Sequence, residues 1–102
     1  MLASTSVLLL HIEDQPEIAD LFSSMLQREA KKCGLGLSIE WASTFNEGLQ
    51  RAQKIPPPDL ILLDLGLPGQ KPEETMARIP ELEEYGPVYV LTGRTEREIR
   101  EK

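Results

Sequence analysis

Two short apolar runs in this chain each end in acid. Val7-Leu8-Leu9-Leu10-His11-Ile12 leads into Glu13-Asp14, and Leu60-Ile61-Leu62-Leu63 leads into Asp64. Runs of this length suit buried strands rather than helices. A strand that delivers a carboxylate at its C-terminal end is how open α/β sheets build sites, because ligands bind in the crevice beyond those ends. If the two strands are neighbours, Glu13, Asp14 and Asp64 meet in one small space. Carboxylates at that density repel one another unless a cation or a shared proton relieves them. The pattern asks for a divalent metal.

Between and after these runs the pattern alternates strand and helix. Pro16 suits a first helical position, with Asp14 or Gln15 near the cap, and Ile18, Leu21, Phe22, Met25 and Leu26 follow at three-four spacing. Lys31, Lys32, Gly34 and Gly36 supply a basic last turn and a stop. Leu37, Ile39 and Trp41 alternate with Ser38, Glu40 and Ala42, the period of a strand with one wetter face. Thr44 and Glu47 have capping-box spacing for a helix carrying Leu49, Ala52 and Ile55, which Pro56-Pro57-Pro58 halts. Gly66, Pro68 and Gly69 mark a loop, and Pro72 opens a third helix through Met76 and Ile79 that Pro80 limits or kinks. Val88 to Leu91 reads as a fourth strand, and Thr95 to Glu98 as the cap of a charged helix with Ile99 as its one large apolar residue.

Strands alternating with helices imply a parallel sheet with right-handed crossovers. The most economical strand order, 2-1-3-4, reverses between the first and third strands, which are the two that end in acid. The switch-point rule and the acid placement therefore select the same crevice.

At 102 residues the chain is expected to form one domain over 1–102. A formal charge of −6 argues against direct nucleic-acid binding. Glu73-Glu74 and Glu81, Glu83 and Glu84 read as solvated helix faces. The one cysteine, Cys33, near the end of the first helix, precludes an internal disulfide and reads as an inert thiol. With no targeting signal and no apolar stretch of membrane-spanning length, a cytoplasmic location is expected.

Glu13, Asp14 and Asp64 are hard oxygen ligands of the kind Mg2+ uses beside waters and a phosphate. His11 and Cys33 are not placed for a zinc set. His11 reads as a satisfied structural histidine, and Trp41 and Phe45 as packing residues. With Mg2+ bound, Asp64 can attack a phosphoryl group as the lone acid ending the central strand, and the Thr92 hydroxyl can reach a phosphoryl oxygen.

Glu13-Asp14 after the first strand, Leu63-Asp64-Leu65-Gly66-Leu67-Pro68-Gly69 after the third and Leu91-Thr92-Gly93 after the fourth resemble the receiver domain of two-component response regulators. The resemblance runs from Val7 to about Arg97. It implies a flavodoxin-like doubly wound fold in which Asp64 accepts a phosphoryl group from a histidine kinase, a phosphotransfer protein or a small phosphodonor. Glu13, Asp14, Asp64 and the backbone carbonyl of Gly66 would hold Mg2+, and Thr92 would be the switch hydroxyl. It implies a signalling switch rather than an enzyme. A haloacid-dehalogenase-like phosphohydrolase fits less well, because the position two residues after the nucleophile is Gly66 and not an acid.

The chain departs from the family in two places. It ends before the fifth strand, its lysine and the fifth helix, and Lys71 is no clear substitute for that lysine. The glycine that usually follows the loop's proline is replaced by Pro72. A sheet ending at the fourth strand leaves an open edge and a face covered by one helix, from which a homodimer is expected. The alternative reading is a pseudo-receiver that acts as a dimerisation or interaction module without phosphorylation.

Overall fold

The computed structural model describes residues 6–66 and 71–91. Strand and helix alternate as the hydrophobic pattern requires: β1 (Ser6–Ile12), α1 (Pro16–Lys32), β2 (Gly36–Ala42), α2 (Phe45–Ala52), β3 (Leu60–Asp64), α3 (Pro72–Ala77), α4 (Ile79–Glu83) and β4 (Val88–Leu91). All four strands are parallel, in the order β2-β1-β3-β4. The architecture is an open, doubly wound α/β sheet with the expected 2-1-3-4 order. Among the described residues no helix is long and apolar enough to cross a membrane.

Pairing register decides which side chains share a face. Leu10 stands opposite Ile61 and Ile12 opposite Leu63. These four are fully buried and, with Phe45 and Ala52 of α2 and Leu82 of α4, form the main core. On the other face lie Leu9, His11, Leu60 and Leu62, under α1. There α1 buries Ala19 and Ala30 and half-buries Ile18, Phe22 and Leu26, while Leu21 and Met25 point to solvent. Coverage on this side is incomplete. A groove of about 350 Å3 runs beside α1, walled by Val7, Leu9, Leu26, Ala30, Leu60 and Leu62.

Helix ends follow local chemistry. Gly34 adopts φ +70°, which a side chain disfavours, and lets the chain reverse after α1. The Gly34 N–H then reaches the Lys31 carbonyl, and the Leu35 N–H reaches that of Ala30 at 2.9 Å, the paired bonds of a Schellman stop. At α2 the Glu47 N–H donates to Thr44 Oγ1 at 3.1 Å, as the capping-box spacing predicts. The Glu47 carboxylate reaches back one residue further than that motif requires, accepting from the Ser43 N–H and hydroxyl.

Three details differ from the sequence expectation. The α2 helix stops at Ala52, and Ile55 is 94% exposed rather than on its apolar face. The residue before a proline avoids helical backbone, so the chain has already left the helix before Pro56. The helix expected to run through Met76 and Ile79, limited or kinked at Pro80, is broken just ahead of that proline: α3 stops at Ala77 and α4 begins at Ile79. Proline offers no N–H to the preceding turn, so a continuous ladder through it is lost. As a result Thr75 and Leu82 turn inward, and Met76 is 54% exposed. The clustered glutamates of these helices are exposed, as a solvated face should be.

Candidate metal centre

The sheet brings the three acids together. Ile12 is the last paired residue of β1 and stands opposite Leu63, so the next step along each strand sets Glu13 beside Asp64. Glu13, Asp14 and Asp64 each offer a carboxylate oxygen within 4.8 Å of the others. Glu13 and Asp64 are only 4% and 7% exposed, and Asp14 is half-buried. Carboxylates are seldom buried without a cation or dense hydrogen bonding.

Hydrogen bonding here is sparse. Asp64 Oδ1 accepts from the Gly66 N–H at 3.1 Å, and Glu13 Oε2 accepts from the Gln15 N–H at 3.2 Å. Asp14 Oδ1 is buried with no partner among the described residues. No ion pair reaches the cluster among those residues. The electrostatic cost falls on Glu13, whose pKa is pushed up to about 7. Burial is the largest cause, Asp14 and Asp64 add to it, and the Gln15 N–H opposes it.

A divalent cation answers this environment. The donor set is all oxygen, one of its buried oxygens has no partner among the described residues, and a bound cation would oppose both the burial and the neighbouring charges that raise Glu13. The three acidic residues named from the sequence as metal ligands therefore converge. Gly66 lies two residues beyond Asp64 and is tied to its carboxylate by its N–H. Thr92 falls outside the described residues. Lys71 is exposed and precedes α3.

Two residues differ from their sequence reading. His11 is buried to 1% exposure with its ring edge-on to Phe22, centroids 5.7 Å apart, yet Nε2 has no hydrogen-bond partner among the described residues. It is structural but not satisfied. Burial pushes its pKa below the ordinary value, against an upward pull from Asp64, so the neutral ring offers the acids no counter-charge. Trp41 is not a packing residue of the core. It is 48% exposed, and its indole N–H donates to the backbone carbonyl of Glu13. Phe45 does pack, at 3% exposure, with the Arg78 guanidinium 4.1 Å from its ring centre. Cys33 is exposed just after α1.

An open parallel α/β sheet places its ligand crevice at the switch point, and there this domain carries its acid cluster. Comparison with known proteins gives its family. Residues 9–102 match the response regulator receiver domain family, and the chain belongs to it. It is 32% identical over 88 residues to the uncharacterized transcriptional regulatory protein YbdJ of Bacillus subtilis (strain 168), covering 86% of this chain and 35% of that protein. The chain thus spans about a third of the length of this relative. Among solved structures it resembles a fusion carrying the yeast Spc42 trimeric coiled coil, with a TM-score of 0.69 and 27% identity. That match covers 97% of this chain and 60% of the fusion. Receiver domains in general bind Mg2+ and interact with kinases or phosphotransfer proteins, and the acid cluster is where this chain carries the matching oxygens.

Proposed function

We propose that this receiver domain is a phosphoaccepting switch of the cytoplasm, signalling to a partner protein rather than turning over a substrate. A carboxylate oxygen of Asp64 attacks the phosphorus of a histidine kinase, a phosphotransfer protein or a small phosphodonor. The bond from phosphorus to the donor breaks, the donor leaves with its electron pair, and an aspartyl phosphate remains. Glu13, Asp14, Asp64 and the Gly66 backbone carbonyl are the ligands for Mg2+, which when bound offsets charge on the transferring oxygens. Thr92 is the hydroxyl that turns toward the new phosphate and carries the following loop with it.

The observation behind this reading is the convergence of three carboxylates within 4.8 Å, two of them almost fully buried, with no cation paired to them among the described residues. Incubating the protein with acetyl phosphate and Mg2+ and measuring its intact mass tests it. A single phosphoryl adduct that disappears with chelator or in Asp64→Asn is expected. No adduct in the presence of Mg2+ would contradict it.

One observation favours a second reading, an interaction module that dimerises without phosphorylation. β4 is the outermost strand of the described sheet, and its Tyr89 and Val90 are 59% and 43% exposed. An apolar outer strand offers backbone groups and side chains to a second sheet. Light scattering on the wild type and on Val90→Lys tests the dimer, and only a dimer found together with no phosphoryl adduct separates the module from the switch. A dimer that dissociates in the variant supports the module, and a monodisperse wild-type monomer opposes it.

A further inference from the structure

Glu13 and Asp14 sit on a connection rather than within a strand, so something outside β1 must hold them in place. The bonds come from the far end of β2. The Glu13 N–H donates to the Ala42 carbonyl at 2.9 Å, and the Trp41 indole N–H donates to the Glu13 carbonyl. Both backbone groups of Glu13 are thereby tied to two consecutive residues of one strand. The tethered carbonyl belongs to the peptide plane that joins Glu13 to Asp14. Its direction sets where the Asp14 N–H and Cα lie. Asp14 has a buried Oδ1 with no partner among the described residues, so its side chain has no hydrogen bond of its own at that oxygen.

We propose that Trp41 is a positioning residue for the metal centre: through its indole N–H it orients the Glu13–Asp14 peptide and so raises the affinity of the acid cluster for Mg2+. This rests on the metal-binding reading above and adds a residue outside the acidic set. Packing does not account for the contact, since the ring is half open to solvent while its one polar atom is engaged. Tryptophan nitrogen is a donor only, so the interaction has one direction, from ring to carbonyl. A half-exposed indole bonded to this connection also senses a change at the acids, and its emission is expected to shift when the site fills.

The chain contains one tryptophan, which makes a clean test available. Producing the protein with benzothienylalanine in place of tryptophan replaces the N–H by sulfur at position 41 alone and keeps the ring shape. Trp41→Phe is the second variant. Mg2+ is titrated calorimetrically into all three proteins at pH 8, the wild type is also followed by its Trp41 emission, and urea unfolding of each is measured in chelator. Both variants are expected to bind Mg2+ about three- to tenfold more weakly, the range one hydrogen bond's net contribution corresponds to. In the wild type the emission change is expected to share the calorimetric midpoint. Variants that bind as tightly as the wild type overturn the role of Trp41 and leave the metal centre standing, whatever their unfolding midpoints. A wild type that binds no Mg2+ overturns the metal reading and this inference together.

Discussion

Glu13→Gln is expected to stabilise the metal-free domain, in a way that depends on pH. Glu13 is 4% exposed, and its pKa is pushed up to about 7 from a reference value of 4.5. A raised carboxylate pKa means the folded state holds the proton more tightly than the unfolded chain does. The stability linked to that proton is fully present below about pH 4.5 and is lost as the pH rises through about 7. At pH 8 the loss is roughly 3 kcal/mol, from about 1.4 kcal/mol per pKa unit, whereas at pH 5 it is under about 1 kcal/mol. Glutamine cannot ionise, and its carbonyl oxygen can still accept the Gln15 N–H that Glu13 Oε2 now accepts. The variant should therefore gain about 2–3 kcal/mol over the wild type at pH 8 in chelator. At roughly 4–8 °C per kcal/mol for a domain of this size, the melting temperature should rise by about 10 °C or more. At pH 5 the two proteins should melt within a few degrees of each other. Thermal unfolding at the two pH values is the assay. A variant no more stable than wild type at pH 8, or equally favoured at both pH values, refutes the claim that crowded, buried charge strains this pocket.

Further outcomes follow from the same geometry. Mg2+ affinity, measured by calorimetry, should fall as the pH drops below about 7, because Glu13 must lose its proton to serve as a ligand. Gly48→Ala should destabilise the fold even though alanine is the better helix former. Its Cβ would lie 2.3 Å from Cδ1 of the fully buried Ile12, and an overpacking cost of about 1–3 kcal/mol outweighs a propensity gain of about 1 kcal/mol. Chemical denaturation reads the sign. Thr44→Ala should cost about 1 kcal/mol by removing the acceptor for the Glu47 N–H at the start of α2, measurable in the same way.

The features that place the site were legible in the sequence because they are local. Short apolar runs bounded by turn residues named β1 and β3, and the acids at their ends named Glu13, Asp14 and Asp64 before any sheet was drawn. The most economical order for alternating strands and helices then paired Ile12 with Leu63 and put the switch point at those acids. Other features were hidden for physical reasons. The partner of Trp41 is a backbone carbonyl 28 residues earlier, and a backbone acceptor leaves no mark in residue identity. The only available sign was a bulky aromatic at the C-terminal end of β2, level with the end of β1. That His11 Nε2 has no partner among the described residues was equally invisible, because burial of a histidine can be inferred from its apolar neighbours but satisfaction of its ring nitrogens cannot. Exposure of Ile55 depended on where the helix ended ahead of three prolines, a boundary effect that periodicity alone does not resolve.

The central claim is that Asp64 is the phosphoacceptor of a Mg2+-dependent site, and one measurement addresses it most directly. The protein is incubated with acetyl phosphate and Mg2+, the acyl phosphate is reduced with borohydride, and the digested peptides are sequenced by mass spectrometry. Reduction converts a phosphorylated aspartate to homoserine and leaves free carboxylates unchanged. Homoserine at position 64 alone, and none when Mg2+ is chelated, is the predicted result. Homoserine at position 14 or at no position, with Mg2+ present and the protein folded, would contradict it.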